Sequence, residues 1–241
     1  MGDLAPKVDV PVVVAKIAGF ATIAAAFAAH PVIGAAVASA VTSLIPDRRA
    51  RRIELFAERL NERVSVIQPE LPAATFDDDY NLSFFEDSII AASRATSSER
   101  IDYIASILAN GLTSKEAKRL DRKYLLSLLN EMNDVEVLLL CSKAYNTYGS
   151  GKEFWEKHND ALHFEYATLN SPQEVFDLES IRRSYEDHLV RLGVLEEQFH
   201  QSSNKPIEFD QHGKPKGGWR QLSHVGRMLL REMGQPTDLN R

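Results

Sequence analysis

The sequence predicts a mainly α-helical protein, and two patterns carry that prediction. Apolar residues in the middle of the chain recur at spacings of three and four, as they do along one face of a helix. Capping residues, prolines and glycines divide these stripes into helix-length pieces, and no strand-like alternation interrupts the bundle they form.

The composition is that of a folded protein. Of its 241 residues, 44% are hydrophobic and 26% are charged, and the formal net charge is −6. That balance argues against nucleic acid as a partner unless a local basic patch exists. The single cysteine, Cys141, lies in an apolar run, so the chain can form neither an internal disulfide nor a cysteine zinc site.

The first element is an apolar, Ala-rich segment, which we assign to residues 1–46. No formal charge occurs from Ile17 to Pro46, a run longer than the roughly 20 residues that cross a bilayer. Pro31 divides it into a predicted pair of helices, Val12–Ala29 and Val32–Ile45. Its larger apolar side chains are Ile17, Phe20, Ile23, Phe27, Val32, Ile33, Val37, Val41 and Leu44.

Three interpretations of this segment compete. A secretory signal would use Ala38-Ser39-Ala40 as a cleavage site, but the arginines that follow oppose export. A membrane span or shallow hairpin fits better, because the positive-inside rule makes those arginines a cytoplasmic anchor. An Ala-rich helical pair buried in an assembly is the third. We therefore expect the cytoplasmic face of the inner membrane, or the cytoplasm if the pair is buried. The anchor cluster comprises Arg48, Arg49, Arg51 and Arg52.

Residues 47–132 are predicted to form an amphipathic helical bundle. The first helix, of about twenty residues, carries one apolar stripe and is stopped by Pro69. Asp77-Asp78-Asp79 could suggest a metal site, but we expect these carboxylates to be solvated or to cap the next helix. The stripe comprises Ile53, Phe56, Leu60, Val64 and Ile67, and the helices that follow are Leu82–Ala95, Thr96–Leu108 and Ser114–Met132.

Residues 133–241 are predicted to form a C-terminal module. Asn133 or Asp134 would cap the helix Val135–Tyr145, and Ser223 would open the last helix, which ends at Gly234. Between them we expect helices over Lys152–Leu169 and Pro172–Leu192.

The end of this module resembles the second half of a winged helix. A helix ends in Leu192-Gly193, a polar stretch rich in glycine and proline follows, and the last helix begins Leu222-Ser223-His224-Val225-Gly226. The resemblance implies a small β-hairpin wing, with Val135–Tyr145 as the first helix of the fold. It implies no particular function, because a fold hosts many functions.

Nucleic-acid binding by this module would depend on its basic residues. The would-be recognition helix is locally neutral, whereas major-groove readers usually have a one-sided basic face. We therefore expect protein interaction or oligomerisation here, with DNA binding as the alternative. The candidate contacts are Arg182 and Arg183 on the helix and Lys214, Lys216 and Arg220 on the wing.

The sequence carries no recognisable catalytic motif. It has no Gly-rich phosphate loop, no nucleophile elbow, no zinc-protease helix and no paired cysteines. Its seven histidines are scattered, and His158 and His163 lie five apart, off the spacing of a helical metal pair. We predict a non-enzymatic protein with no metal, no cofactor and no small-molecule substrate.

Taken in order, these features resemble the Abi-alpha family, bacterial proteins associated with abortive infection by phage. The resemblance runs from about Val12 to Met233. It rests on the apolar segment with its arginine cluster, the Phe84-Phe85-Glu86 and 98–112 helices, and the winged-helix-like ending. It implies a role in phage defence or exclusion and an action at the membrane, and it carries over no active-site residues.

We thus expect an interaction or effector protein of the phage-defence type, acting through a membrane-associated or oligomerising N-terminal helical pair. A homo-oligomer is the expected assembly, with the lipid bilayer as a second partner. The alternatives are a winged-helix transcriptional regulator and a structural subunit of a soluble oligomeric assembly.

Overall fold

The protein is described here by a computed structural model covering residues 47–67, 78–112, 119–145, 151–163, 165–199, 209 and 218–237. Within those ranges it has nine helices and one antiparallel hairpin, so the mainly α prediction is confirmed. The helical pair predicted within residues 1–46 lies outside them. The described chain divides into two compact units between Leu126 and Ser127.

The first unit is built on three helices: α1 (Asp47–Ile67), α2 (Asp79–Arg94) and α3 (Ser98–Leu112). Helix α1 contacts α2 and α3, which also contact each other. Four of the five predicted stripe residues on α1 are fully buried, whereas Ile67, at the helix end, is 47% exposed. Helix α3 is buried on nearly every face and forms the centre of the unit.

Local capping explains where two of these helices begin. The Asp78 side chain accepts a hydrogen bond from the Tyr80 backbone N–H at 3.0 Å and caps α2, as predicted for the aspartate triplet. Helix α3 begins two residues later than predicted. There Ser97 Oγ accepts from the Arg100 backbone N–H at 3.3 Å, so the cap is Ser97 and the prediction of Thr96 was wrong.

Gly111 was predicted to end α3, and that was wrong as well. The helix continues through it to Leu112. A Cβ at this position would lie 2.3 Å from Phe84 Cε1, so the glycine permits close packing of α3 on α2. Helix α4 (Arg119–Glu131) follows and contains the boundary between the two units.

The second unit contains α5 (Asp134–Ser142), α6 (Lys152–Lys157), α7 (Asn159–Leu162), α8 (Gln173–Arg191), strands β1 (Leu195–Phe199) and β2 (Gly218–Leu222), and α9 (His224–Glu232). The strands pair antiparallel, with Leu195 opposite Leu222 and Phe199 opposite Gly218. The hairpin implied by the resemblance is therefore present. Helix α8 packs against α5 and β1.

The predicted helix over Lys152–Leu169 is wrong. Helix α6 ends at Lys157, α7 ends at Leu162, and residues 165–168 form no helix. In that segment the Ala167 backbone N–H donates to Glu179 Oε2 at 2.9 Å, and the Thr168 backbone N–H donates to Ser171 Oγ at 2.9 Å. Side chains thus satisfy the amides that helical carbonyls would otherwise accept from.

Two glycines and a serine cap determine the path of the chain around the hairpin. Gly193 has φ 73°, which is favourable for glycine, and lets the chain leave α8 for β1. Ser223 Oγ accepts from the Gly226 backbone N–H at 2.9 Å and caps α9, as predicted. A Cβ on Gly226 would lie 2.1 Å from the Val194 carbonyl oxygen, so only a glycine lets α9 approach the backbone just before β1 this closely.

Candidate interaction surfaces

A basic surface lies where α1 begins and α2 ends. Arg49 and Arg51, in the first turns of α1, are exposed. Arg52 is half-buried, and its Nη1 donates to the Ser93 carbonyl at 3.1 Å. That bond brings the last turn of α2, which carries the exposed Arg94, to the predicted anchor cluster. We call Arg49, Arg51, Arg52 and Arg94 the basic face; the Arg48 side chain lies outside the described part.

The electrostatics of the basic face are unusual for a helix start. The N-terminus of a helix carries partial positive charge, so arginines there are repelled by the helix dipole as well as by each other. Arg94 lies in the last turn of its helix, where the dipole favours it. The pKa of the nearby Glu54 is raised, mainly because the carboxyl is partly buried, although the charge of Arg51 acts to lower it. A negatively charged partner would relieve the repulsion at this end of α1.

The arginines farther along α1 have a different role. Arg59 Nε lies 3.1 Å from Asp102 Oδ1 on α3, and this carboxylate is the main cause that raises the pKa of Arg59. Arg63 Nη1 donates to Ser106 Oγ at 3.3 Å. These side chains join α1 to α3, whereas the amino-terminal arginines Arg49 and Arg51 face solvent.

Arg220, a predicted nucleic-acid contact, is held inside the second unit. Its side chain is 15% exposed and lies among three carboxylates from α8 and β1. Its Nη1 donates to Glu186 Oε2 at 2.8 Å, and its Nη2 contacts both Asp187 and Glu197 Oε1, the latter at 3.3 Å. The guanidinium thereby joins the hairpin to α8.

The two candidate arginines on α8 differ from each other. Arg182 Nη1 donates to the Leu162 carbonyl at 2.9 Å and its Nε lies 3.7 Å from Glu186 Oε1; burial lowers its pKa. Arg183 is 67% exposed and lies 3.7 Å from Glu179 Oε1. Lys214 and Lys216 lie outside the described residues.

Lys143, just after α5, belongs to the same charged neighbourhood. Burial lowers the pKa of its ammonium, the charge of Glu186 raises it, and the charges of Arg182 and Arg220 lower it further. In the sequence Lys143 follows Cys141 by two residues, and Cys141 is fully buried. Nothing local in the sequence signals its proximity to α8.

The amino-terminal half of α8 exposes an apolar surface that the sequence analysis did not identify. Along α8, Val175, Leu178, Ile181, Tyr185 and Leu189 recur at spacings of three and four and so share one face. Leu189 is fully buried, but Ile181 is 47% and Leu178 is 61% exposed. The stripe that packs into the unit thus continues beyond it into solvent.

The segment before α8 also exposes apolar side chains. The Ala167–Glu179 and Arg182–Leu162 hydrogen bonds hold it alongside α8. Two of its apolar side chains are strongly exposed, Tyr166 at 75% and Leu169 at 102%. We call Tyr166, Leu169, Leu178 and Ile181 the α8 patch. These exposed apolar side chains are candidates for contact with a partner on this unit.

Within the part of the chain that the structure describes, no group of three or more His, Cys, Asp or Glu side chains could hold a metal ion. His188 Nδ1 lies 2.7 Å from Glu136 Oε1. Glu136 Oε2 accepts from the Asn133 backbone N–H at 2.8 Å, which completes the capping box of α5. These residues therefore hold α8 to the start of α5.

No helix among the described residues has the length and hydropathy needed to cross a bilayer. The segment 1–46, to which the membrane prediction applies, lies outside the described residues. Comparison with models of known protein families, with curated proteins and with solved structures finds no match to this chain.

Proposed function

We propose that this protein is a non-enzymatic effector of the abortive-infection type, held at the cytoplasmic side of a membrane by residues 1–46 and the basic face. The main observation in support of this proposal is the basic face. Arg49, Arg51 and Arg52 directly follow the charge-free run Ile17–Pro46, and the fold adds Arg94 beside them. The role in phage defence rests on the resemblance to the Abi-alpha family.

Charge supports a lipid surface as the partner of the basic face. The cytoplasmic leaflet is anionic, and each arginine near it contributes about 1 kcal/mol of attraction. An anionic surface also relieves the repulsion between these arginines and the start of α1. Because the whole chain carries −6, nucleic acid is a poorer candidate for the same face.

Binding of the full-length protein to lipid vesicles tests this proposal. We expect stronger binding to vesicles with anionic lipid than to neutral ones, and a steep loss of that difference with added salt. The double variant R51Q/R94Q should bind anionic vesicles at least tenfold more weakly. The matched control R183Q/R191Q removes two charges from α8 and should bind like the wild type. Equal binding to neutral and anionic vesicles, or an equal loss in the control, would contradict the proposal.

The defence role needs a cellular readout. Phage plating efficiency and host growth are measured with the full-length chain, with R51Q/R94Q and with residues 1–46 deleted. We expect both alterations to reduce protection or toxicity in proportion to the loss of vesicle binding. Full protection by the deleted chain would place the effector activity away from the membrane.

DNA binding by the winged-helix-like module is the weaker alternative. Arg220 and Arg182 are engaged within the unit, which leaves Arg183 as the exposed arginine among the three described candidates. A gel shift that is sensitive to salt and abolished by K214Q/K216Q would nevertheless establish it.

A further inference from the structure

We infer that Arg49, Arg52 and Arg94 together bind the phosphomonoester headgroup of an anionic lipid, and that Arg51 lies outside this site. The inference deepens the proposed function, on which it rests, because it names the lipid chemistry that one part of the basic face selects. We call Arg49, Arg52 and Arg94 the arginine triad. The hydrogen bond from Arg52 Nη1 to the Ser93 carbonyl, at 3.1 Å, joins the two helices that carry the triad.

The Arg52–Ser93 hydrogen bond places Arg94 beside Arg52. The Cα of a residue lies about 3 Å from the preceding carbonyl oxygen, so the Arg94 Cα is at most about 6 Å from Arg52 Nη1. An arginine side chain is longer than that separation, so both guanidiniums can contact one phosphate group. The bond to Ser93 also restrains the Arg52 side chain, which lowers the entropy lost when a ligand binds.

Arg49 is three residues before Arg52 and shares its side of α1. Residues three apart are neighbours on a helix surface, with about 5–6 Å between their Cβ atoms. Arg49 and Arg94 are both exposed, so their guanidiniums are accessible to a ligand. The triad therefore presents three positive charges within reach of one anion.

Arg51 is exposed as well, but it lies on another side of the helix. At 3.6 residues per turn it is about 160° around α1 from Arg49 and about 100° from Arg52. Its charge acts to lower the pKa of Glu54, so a carboxylate lies near it. Arg51 contributes to the general attraction of an anionic surface, and it is the matched control for Arg49.

The chemistry of the triad favours a phosphomonoester over other anionic headgroups. A guanidinium donates two parallel N–H bonds to phosphate oxygens, and such charge-assisted bonds are stronger than neutral ones. A phosphomonoester carries about −1.5 to −2 charge near neutral pH and has three terminal oxygens. A phosphodiester carries a single charge and has fewer free oxygens, so three guanidiniums gain less from it.

Vesicle binding by the full-length protein tests this selection. The vesicles contain phosphatidylcholine with either phosphatidic acid, a phosphomonoester, or phosphatidylserine, a phosphodiester, and the two sets are adjusted to the same zeta potential. We expect the wild type to bind the phosphatidic acid vesicles more tightly, by about fivefold or more. R49Q should abolish this preference, whereas R51Q should weaken binding to both lipids and leave their ratio unchanged.

Two results would overturn the inference. One is equal binding of the wild type to the two anionic vesicles, and the other is an equal change of the ratio in R49Q and R51Q. If both anionic vesicles bind equally but better than neutral ones, the proposed membrane role stands and only the headgroup selection fails. If neither exceeds neutral vesicles, the proposed function fails with it, so the two failures are distinguishable.

Glycerol 3-phosphate carries the same group free in solution and identifies the source of the ligand. It lacks the second attachment that the proposed function assigns to residues 1–46, so it should compete with phosphatidic acid vesicles only at roughly millimolar concentration. Competition at roughly micromolar concentration would show that the ligand is a soluble phosphomonoester, which overturns the assignment to a lipid headgroup.

Discussion

Replacing Arg220 should destabilise the second unit specifically. In R220M the carboxylates of Glu186, Asp187 and Glu197 lose the guanidinium that lies among them, while the apolar stem is kept. Removing one partner of a fully buried ion pair costs about 3–5 kcal/mol. These carboxylates are 21%, 40% and 31% exposed and can regain water, so we expect a loss of about 2 kcal/mol in the free energy of unfolding.

The assay is urea unfolding followed by tryptophan fluorescence. The chain has two tryptophans, Trp155 and Trp219, and both belong to the second unit, so their signal reports that unit. With a urea dependence of about 1–3 kcal/mol per M, the midpoint should fall by roughly 1 M. In 1 M salt the loss should shrink, because a Debye length of about 3 Å screens the repulsion among the carboxylates.

Arg183 supplies the control. R183M removes an arginine that is 67% exposed and lies 3.7 Å from the Glu179 carboxylate, so the free energy of unfolding should change by less than about 0.5 kcal/mol. If R220M lowers stability no more than R183M, the Arg220 guanidinium does not hold the hairpin to α8.

Two further substitutions test the second unit. In G226A the new Cβ would lie 2.1 Å from the Val194 carbonyl oxygen, so α9 must shift. We expect the free energy of unfolding, measured by the same fluorescence assay, to fall by about 1–3 kcal/mol. An unchanged midpoint would show that α9 can move without loss of stability. Burial lowers the pKa of Lys143 in the folded protein, so the unfolded chain binds the ammonium proton more tightly. The free energy of unfolding of the wild type should therefore rise with pH between the lowered pKa and 10.5. K143M should remove that rise and be more stable than the wild type at neutral pH; parallel pH profiles for the two proteins would contradict it.

Helix positions could be predicted largely from the sequence because their causes are local. The capping box of Asn133 and Glu136 and the Ser223 cap each involve residues three apart, so their spacing predicts the helix start. The stripe on α1 follows from helical periodicity for the same reason. Prediction failed where a distant group competed: Glu179 accepts from the Ala167 amide, and the expected long helix ends early.

The candidate sites depended on the tertiary structure, because a residue's spacing does not determine its partner. With 28 lysines and arginines and 34 acidic residues, the sequence allows many pairings for Arg220, and the fold selects three carboxylates. Arg94 joins the anchor cluster only through the Arg52–Ser93 hydrogen bond. The spacing of the apolar residues along α8 predicts that the whole stripe is buried. In the structure Leu189 is buried, but Leu178 and Ile181 lie beyond the packed part of the unit and are exposed. The sequence by itself determined the helical class, the charge-free segment and the arginines after it, since composition and local periodicity suffice for these. The tertiary structure decided which charges are engaged and which apolar surface stays open, since both depend on contacts between residues far apart in the chain.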